Sequence, residues 1–377
     1  MDLKKINSPS YVIEEKLLEN NLKLIKKIID KAEVDIILAF KGFAMWKMFP
    51  LMKEYINSAT SSSLNEARLA FEEMGSYAHT YSPAYKEDEF DEIMNYSSHI
   101  TFNSLSQYSL FHKKIINNDR KISIGLRVNH EFSEVETDLY NPCALGSRLG
   151  ITSDQLQELP EDVEGLHFHS LCESSSYDLE KTLVHFEAKF GKFISKLKWV
   201  NFGGGHLITR KDYDVDHLIK VLKAFKSRYP NVKVILEPGS AFAWETGVLV
   251  SSVVDIVHNH GVYTAIMDVS FAAHMPDCLE MPYFPRIRDA KHAESSGIGY
   301  RIGGNSCLAG DYMGIWEFEA PLKVGDKLIF EDMIHYTMVK TSMFNGLSHP
   351  SIGVIRKDGS YECFREFDYM DYKNRLS

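Results

Sequence analysis

Between residues 35 and 237 the chain repeats one pattern: a short apolar or alternating run, then an amphipathic stretch. The runs fall at 35–40, 55–59, 77–81, 99–102, 122–128, 163–169, 199–202 and 232–237. Ile122, Ile124, Leu126 and Val128 alternate, as a strand with one face in a core requires. Leu17, Leu18, Leu24, Ile25, Ile28 and Ile29 sit at helical spacing over 14–32. Ser63 with Glu66 reads as a capping box opening a helix, and Ser104 with Gln107 repeats the signal. Further helices fit 178–196 and 213–228. Eight strands, most followed by a helix, is the count for a (β/α)8 TIM barrel, an α/β architecture. A doubly wound open sheet is the alternative. Past about residue 245 the pattern changes. Residues 248–250, 262–269, 300–302 and 327–330 are strand-like, punctuated by Gly and Pro, with few helices between them. The expected domains are a barrel over 10–245 and a mostly β domain over 246–377 together with residues 1–9.

The chain has 377 residues, enough for two cores. A formal net charge of -10 argues against nucleic acid as a partner and suits a cationic small molecule. No apolar run approaches a membrane span, and Met1-Asp2-Leu3-Lys4-Lys5 lacks a signal peptide's apolar core. Five widely spaced cysteines form neither a disulfide framework nor a zinc pair, so a reducing cytoplasm is expected and no metal site.

Chemistry in a barrel belongs at the C-terminal strand ends. The first strand, Asp35-Ile-Ile-Leu-Ala-Phe-Lys-Gly-Phe43, delivers Lys41 to its tip. A lysine held there in low dielectric has a lowered pKa and is a Schiff-base nucleophile; taken alone it is equally a strand-end lysine pointing to water. The sixth strand ends in Leu166-His167-Phe168-His169, with both histidines on one face by period two. One imidazole could lie flat on a cofactor ring, or both could simply hydrogen-bond. The seventh ends in Asn201-Phe202-Gly203-Gly204-Gly205-His206. Three glycines let backbone N–H groups close on an anion, with phosphate the expected occupant. The eighth ends in Glu237-Pro238-Gly239, where the proline keeps Glu237 at the tip. Its carboxylate could hold a pyridinium proton or bridge the barrel mouth as an ion pair. In the β half, Cys307 and Asp311 share a glycine-rich turn, and Tyr336 precedes Phe344-Asn345-Gly346.

These segments together resemble the fold-III pyridoxal phosphate decarboxylases, the ornithine, arginine and diaminopimelate decarboxylase superfamily. Ala39-Phe40-Lys41 resembles its cofactor-lysine motif, and Ser147-Arg148-Leu149-Gly150 its Ser-Lys-Phe-Gly element. Phe168-His169 resembles the motif whose histidine stacks on the ring. Gly203–Gly205, Glu237-Pro238-Gly239, Cys307 with Asp311, and Tyr336 with Phe344-Asn345-Gly346 follow in family order. Three departures stand out. Ser240 replaces the arginine usual after Glu-Pro-Gly, Leu308 replaces an acid expected in diamine and diaminopimelate enzymes, and Ser170-Leu171-Cys172-Glu173 replaces Val-Gly-Ser. With the segment from Asp268 to Tyr283, they are similar to the branch acting on carboxynorspermidine and carboxyspermidine.

The resemblance implies an alanine racemase-like fold III, pyridoxal 5'-phosphate as cofactor, and a homodimer with shared active sites. It implies Lys41, Glu237 and Cys307 as catalytic residues, and His169, Gly203, Gly204, Gly205 and Tyr336 as further cofactor contacts. A polycationic substrate needs carboxylates along its channel; Asp277, Glu280, Asp311 and Glu245 are candidates, with His274 beside them. Another decarboxylase or a racemase on this scaffold, with Tyr312 as second base, is the rival. A non-catalytic regulator is the alternative of another class, and it predicts loss of Lys41 or Glu237, which are both present.

Overall fold

A computed structural model describes residues 2–280, 283–293 and 299–377. Two compact units emerge. One is Asn21–Phe242; the other joins the segment ending at Asn20 to Ala243–Ser377. The sequence reading placed residues 10–20 with the barrel. Ser10–Glu14 instead pairs antiparallel with Gly247–Asn259 and parallel with Ser351–Ile355, in the second unit's sheet. Buried Tyr11, Val12 and Ile13 explain why it sits between two strands.

The first unit is the expected barrel. Its strands are Asp35–Ile36 with Leu38–Ala39, Ala59–Ser61, Ala78–Tyr81, Ser97–Phe102, Ser123–Arg127, Val163–His167, Trp199–Asn201 and Lys233–Leu236, all parallel. The first is split at Ile37: Asp35–Ile36 pairs with the eighth strand and Leu38–Ala39 with the second. The two ends of the sheet order are therefore one strand, and the ring closes. The second strand begins at Ala59 rather than near 55, because Tyr55 and Ile56 donate to Met52 O in a turn that ends the preceding helix.

Period-two alternation sets what faces the barrel axis. Phe168 and Phe202 point outward and stack at 5.3 Å, with Phe186 and Phe225 of the helices Ser176–Ile194 and Val215–Arg228 against them. All four rings are fully buried, each contributing roughly 1.5–3 kcal/mol. Their neighbours His167, His169 and Asn201 consequently turn inward. At the other end of the barrel Trp199 lies over Gly125 and Gly165, where any Cβ would overlap its ring. The interior is thus plugged below and polar above.

The second unit is mostly β. Its nine-stranded sheet runs Ala290–Ala293, Tyr312–Phe318, Tyr300–Gly303, Val262–Met267, Gly247–Asn259, Ser10–Glu14, Ser351–Ile355 and Tyr361–Arg365, with Lys327–Glu331 also on Gly247–Asn259. Leu3, Ile6, Val12, Val248, Val250, Ile329 and Ile355 form its core. Among the described residues no helix is long and apolar enough to cross a membrane.

Candidate active site

Lys41 leaves the first barrel strand in a tight turn, with Gly42 N–H donating to Ala39 O at 2.9 Å. That turn packs against the one after Glu237: a Cβ on Gly42 would lie 2.7 Å from Gly239 Cα. Two glycines at this crossing bring the lysine and the glutamate strand ends together. Lys41, Thr60, Ser62, Tyr81, Arg127, His167, His169 and Glu237 line one cavity in the barrel mouth. Lys41 is exposed by surface area, yet its amine is hemmed in by the cavity walls. Desolvation first, and the positive charge of Arg127 second, hold its pKa below the usual lysine value. The amine is therefore partly primed as a nucleophile.

Glu237 is 8% exposed. Its Oε1 accepts from Asn201 Nδ2 at 2.5 Å, and its backbone N–H donates to Gly203 O at 2.7 Å. Burial raises its pKa; the Asn201 hydrogen bond, Lys41 and Thr60 pull it back. Glu237 Oε2 lies 3.6 Å from His167 Nε2. This contact is not an ion pair at neutral pH, because burial, then Arg127 and Lys41, push the His167 pKa well below its usual value. His169 is likewise neutral, from burial and then Lys41 and Arg127. Gly204 N–H donates to His169 Nδ1 at 2.7 Å, which fixes the proton on Nε2 and locks the ring.

The glycine loop differs from the expectation that all three N–H groups close on an anion. Gly203 N–H donates to Asn201 Oδ1 at 2.8 Å and Gly204 N–H to His169. Two of the three are spent inside the barrel. What the glycines supply is close approach: Gly203 and Gly205 have φ of 68° and 85°, and a Cβ on Gly205 would sit 2.0 Å from Leu171 O.

Residues not singled out from sequence complete this site. Arg127 is 5% exposed, stacks 4.6 Å over Tyr81 and donates to His169 O at 3.2 Å. It ends the alternating fifth strand, so the reasoning that selected Lys41 applies to it equally. Tyr81 donates to Asn103 Oδ1 at 2.8 Å, and that amide holds Arg148 O and Gly150 N–H. This ties the Ser147–Gly150 element to the barrel mouth. The sequence marks Glu66 only as a capping residue. Its carboxylate accepts from Ser62 N–H at 2.5 Å, and Lys41 is close enough to offset part of the burial that raises its pKa.

The remaining candidates lie in the sheet unit. Cys307 is exposed, and its N–H donates to Asn345 Oδ1 at 2.8 Å. Asn345 and Gly346 take φ of 57° and 75°, which fixes that turn beside the thiol loop. Asp311 is 5% exposed; Oδ1 accepts from Ala272 N–H at 3.0 Å and Oδ2 from Ser306 N–H and Oγ at 3.1 and 2.6 Å. Both oxygens are thus spent shaping the loop. His274 is fully buried, accepts from Ser270 N–H at 3.1 Å, and is held to a pKa of about 4 by burial and then His349. Asp277 Oδ2 accepts from the Tyr283 and Thr337 hydroxyls. Glu280 is exposed and paired with Lys340; Glu245 is paired with Arg286 at 2.7 Å. Tyr336 is half-buried beside His335. Met281 and Pro282, inside the segment from Asp268 to Tyr283, lie outside the described residues.

The barrel cavity fits pyridoxal phosphate on its own terms. It offers a desolvated amine, a buried carboxylate and a locked neutral imidazole. Comparison with known proteins agrees. The family model described as pyridoxal-dependent decarboxylase, C-terminal sheet domain, matches residues 11–334. A carboxyaminopropylagmatine decarboxylase of Synechocystis sp. is 48% identical over 375 residues, covering 99% of this chain and 96% of the relative. A carboxynorspermidine/carboxyspermidine decarboxylase of Campylobacter jejuni is 45% identical with full coverage of both chains. The crystal structure of carboxynorspermidine decarboxylase complexed with norspermidine, from Campylobacter jejuni, superposes with a TM-score of 0.90 at 44% identity, covering 98% of this chain and 100% of that one. With the motifs, the barrel mouth and these similarities in agreement, the chain belongs to the pyridoxal-dependent decarboxylases of fold III.

Proposed function

We propose that the chain decarboxylates a carboxylated polyamine, carboxynorspermidine or carboxyspermidine, in polyamine synthesis, as a cytoplasmic homodimer. The observation that carries this reading is the convergence of Lys41, Glu237 and His169 on one cavity, in a chain close over its whole length to enzymes of that name. Carboxyaminopropylagmatine is the second reading, favoured by the 48% identical relative.

Pyridoxal phosphate, when bound, supplies an electron sink for the pair left behind as carbon dioxide departs. Lys41 is the residue that would hold it, through an amine whose pKa burial and then Arg127 lower. Glu237, oriented by Asn201, would keep a proton on the ring nitrogen. His169, its ring locked by Gly204, would pack against the cofactor, and Tyr336 with the part of the Gly203–Gly205 turn not already bonded inside the barrel would receive its phosphate. Cys307 returns a proton to the α-carbon, a general-acid role that needs a thiol near the reacting atom. Exposed Leu308, Tyr312 and Phe344 around the thiol loop support its covering by a second copy of the chain.

Two outcomes test this. Side-by-side turnover of carboxynorspermidine, carboxyspermidine, carboxyaminopropylagmatine, ornithine, arginine and diaminopimelate should favour the carboxylated polyamines. Preference for ornithine or diaminopimelate would sink the substrate assignment. Borohydride reduction should leave the cofactor on the Lys41 peptide and no other.

The electrostatics give a signed pH prediction. Arg127 lowers the Lys41 pKa, so Arg127→Met removes a positive neighbour and the pKa rises. The pH midpoint for cofactor uptake by the apo-protein should therefore move upward, read from absorbance as a midpoint rather than an amplitude. An unshifted midpoint would mean that Lys41 does not feel the guanidinium.

A further inference from the structure

Two histidines turn into the barrel mouth from the end of the sixth strand, and they are not equivalent. His169 is held by the Gly204 N–H on its Nδ1. His167 is 2% exposed, and among the described residues neither of its ring nitrogens has a hydrogen-bond partner. A neutral imidazole carries one N–H and one lone pair, and a buried N–H without an acceptor is unfavourable. Charging the ring offers no relief, because burial, then Arg127 and Lys41, disfavour the cation.

His206 is buried and unpartnered in the same way, so this feature alone does not make a role. His167, however, lines the cavity beside Lys41 and Glu237, and His206 does not. His167 Nε2 faces Glu237 Oε2 at 3.6 Å, just beyond hydrogen-bond distance, so a small shift of either side chain closes the gap. Asn201 already holds the other oxygen, Oε1. The facing atoms also choose the tautomer. A proton on Nδ1 would leave the Nε2 lone pair against a carboxylate oxygen, two acceptors facing each other in a buried site. Tyr81 meets the imidazole edge-on, with ring centroids 5.4 Å apart, and braces its plane. All of these groups belong to the Asn21–Phe242 unit.

We propose that His167 is a positioning residue, whose Nε2–H donates to Glu237 Oε2 and holds the carboxylate as an anion at the oxygen that Asn201 leaves free. This rests on the reading of Glu237 as the partner of the ring nitrogen. A carboxylate gripped at both oxygens keeps its plane as well as its charge. The cations that face Glu237 are Lys41 from strand one and Arg127 from strand five; Thr60 of strand two and Asn201 of strand seven are neutral. His169, beside His167, is neutral too. All five are kept in the variants below, so a change in Glu237 reports on His167.

Infrared titration of the full-length apo-protein tests this without turnover. The carbonyl band of protonated Glu237, identified by its loss in Glu237→Gln, gives a pH midpoint. His167→Phe keeps a ring against Tyr81 but removes the donor. Its midpoint should rise by about one pH unit, because a hydrogen bond to the charged form favours that form. His167→Gln sets an amide donor near the Nε2 position and should bring the midpoint back toward wild type. In the holoenzyme kcat should follow the same order, with His167→Phe about tenfold down and its KM nearly kept. A ring needed only for packing predicts the reverse order, with the phenylalanine variant close to wild type and the glutamine variant worse. Nitrogen NMR of the histidine rings in wild type should find the His167 proton on Nε2, and it serves as the test if His167→Phe does not fold. A proton on Nδ1, an unmoved midpoint in His167→Phe, or the reverse order of the two variants would each overturn the proposal. Full turnover in Glu237→Gln would overturn the reading of Glu237 as well, whereas a crippled Glu237→Gln with an indifferent His167→Phe overturns this assignment alone.

Discussion

Glu237→Gln should keep the cofactor bound and slow decarboxylation by about 10²–10⁴-fold, the range in which loss of a positioned proton-holding group falls. The structure says why an amide of the same shape cannot substitute. Asn201 Nδ2 donates to Oε1 at 2.5 Å, so a glutamine must turn its own oxygen toward Asn201 to avoid facing donor with donor. Its NH2 then occupies the Oε2 position, and a donor replaces an acceptor on that side of the group. The negative charge that would hold a ring proton is gone as well. Binding should survive, because Lys41, His169 and the glycine loop are untouched, and cofactor absorbance would report this independently of turnover. Near-normal turnover in Glu237→Gln would remove the carboxylate from the electron-sink role.

Much of the barrel site is legible in sequence for one physical reason. Alternation fixes which side chains face the axis, and the C-terminal strand tip fixes which of those meet a ligand. Lys41, His169, Glu237 and the glycine loop all announce themselves this way. Arg127 obeys the same rule and was available, but an arginine ending a strand carries no distinctive neighbouring motif. The use of the glycine N–H groups was not legible, since Asn201 and His169 reach them only through the folded geometry. The N-terminal boundary failed for a related reason. Ser10–Glu14 reads as a generic apolar run, and only its long-range pairing with Gly247–Asn259 and Ser351–Ile355 assigns it to the sheet unit. The acids of the sheet unit show the same limit: composition proposes all four, and only hydrogen-bond accounting separates saturated Asp311 from half-satisfied Asp277.

Inactive Lys41→Ala and Cys307→Ala proteins, mixed and allowed to exchange subunits, should recover activity. The expectation follows from the proposed dimer, in which the barrel of one protomer works with the thiol loop of its partner. Cys307 is suited to that part: it is exposed, and its loop is held rigidly by Asn345 and Asp311 rather than collapsed into a core. In a mixed dimer one site carries both lesions and the other neither. Random exchange of equal amounts makes half of the dimers mixed, each with one intact site of two, so recovery should approach about a quarter of wild-type activity. Mass measurement of the exchanged dimers verifies mixing separately from turnover. No recovery despite verified exchange would mean that Lys41 and Cys307 act within one chain, or that the thiol is only structural. Cys307→Ala measured alone separates these two outcomes. Full activity in that variant removes the thiol from the reaction, whereas an inactive variant without complementation keeps the proton donor and moves it into the same protomer as the lysine it serves.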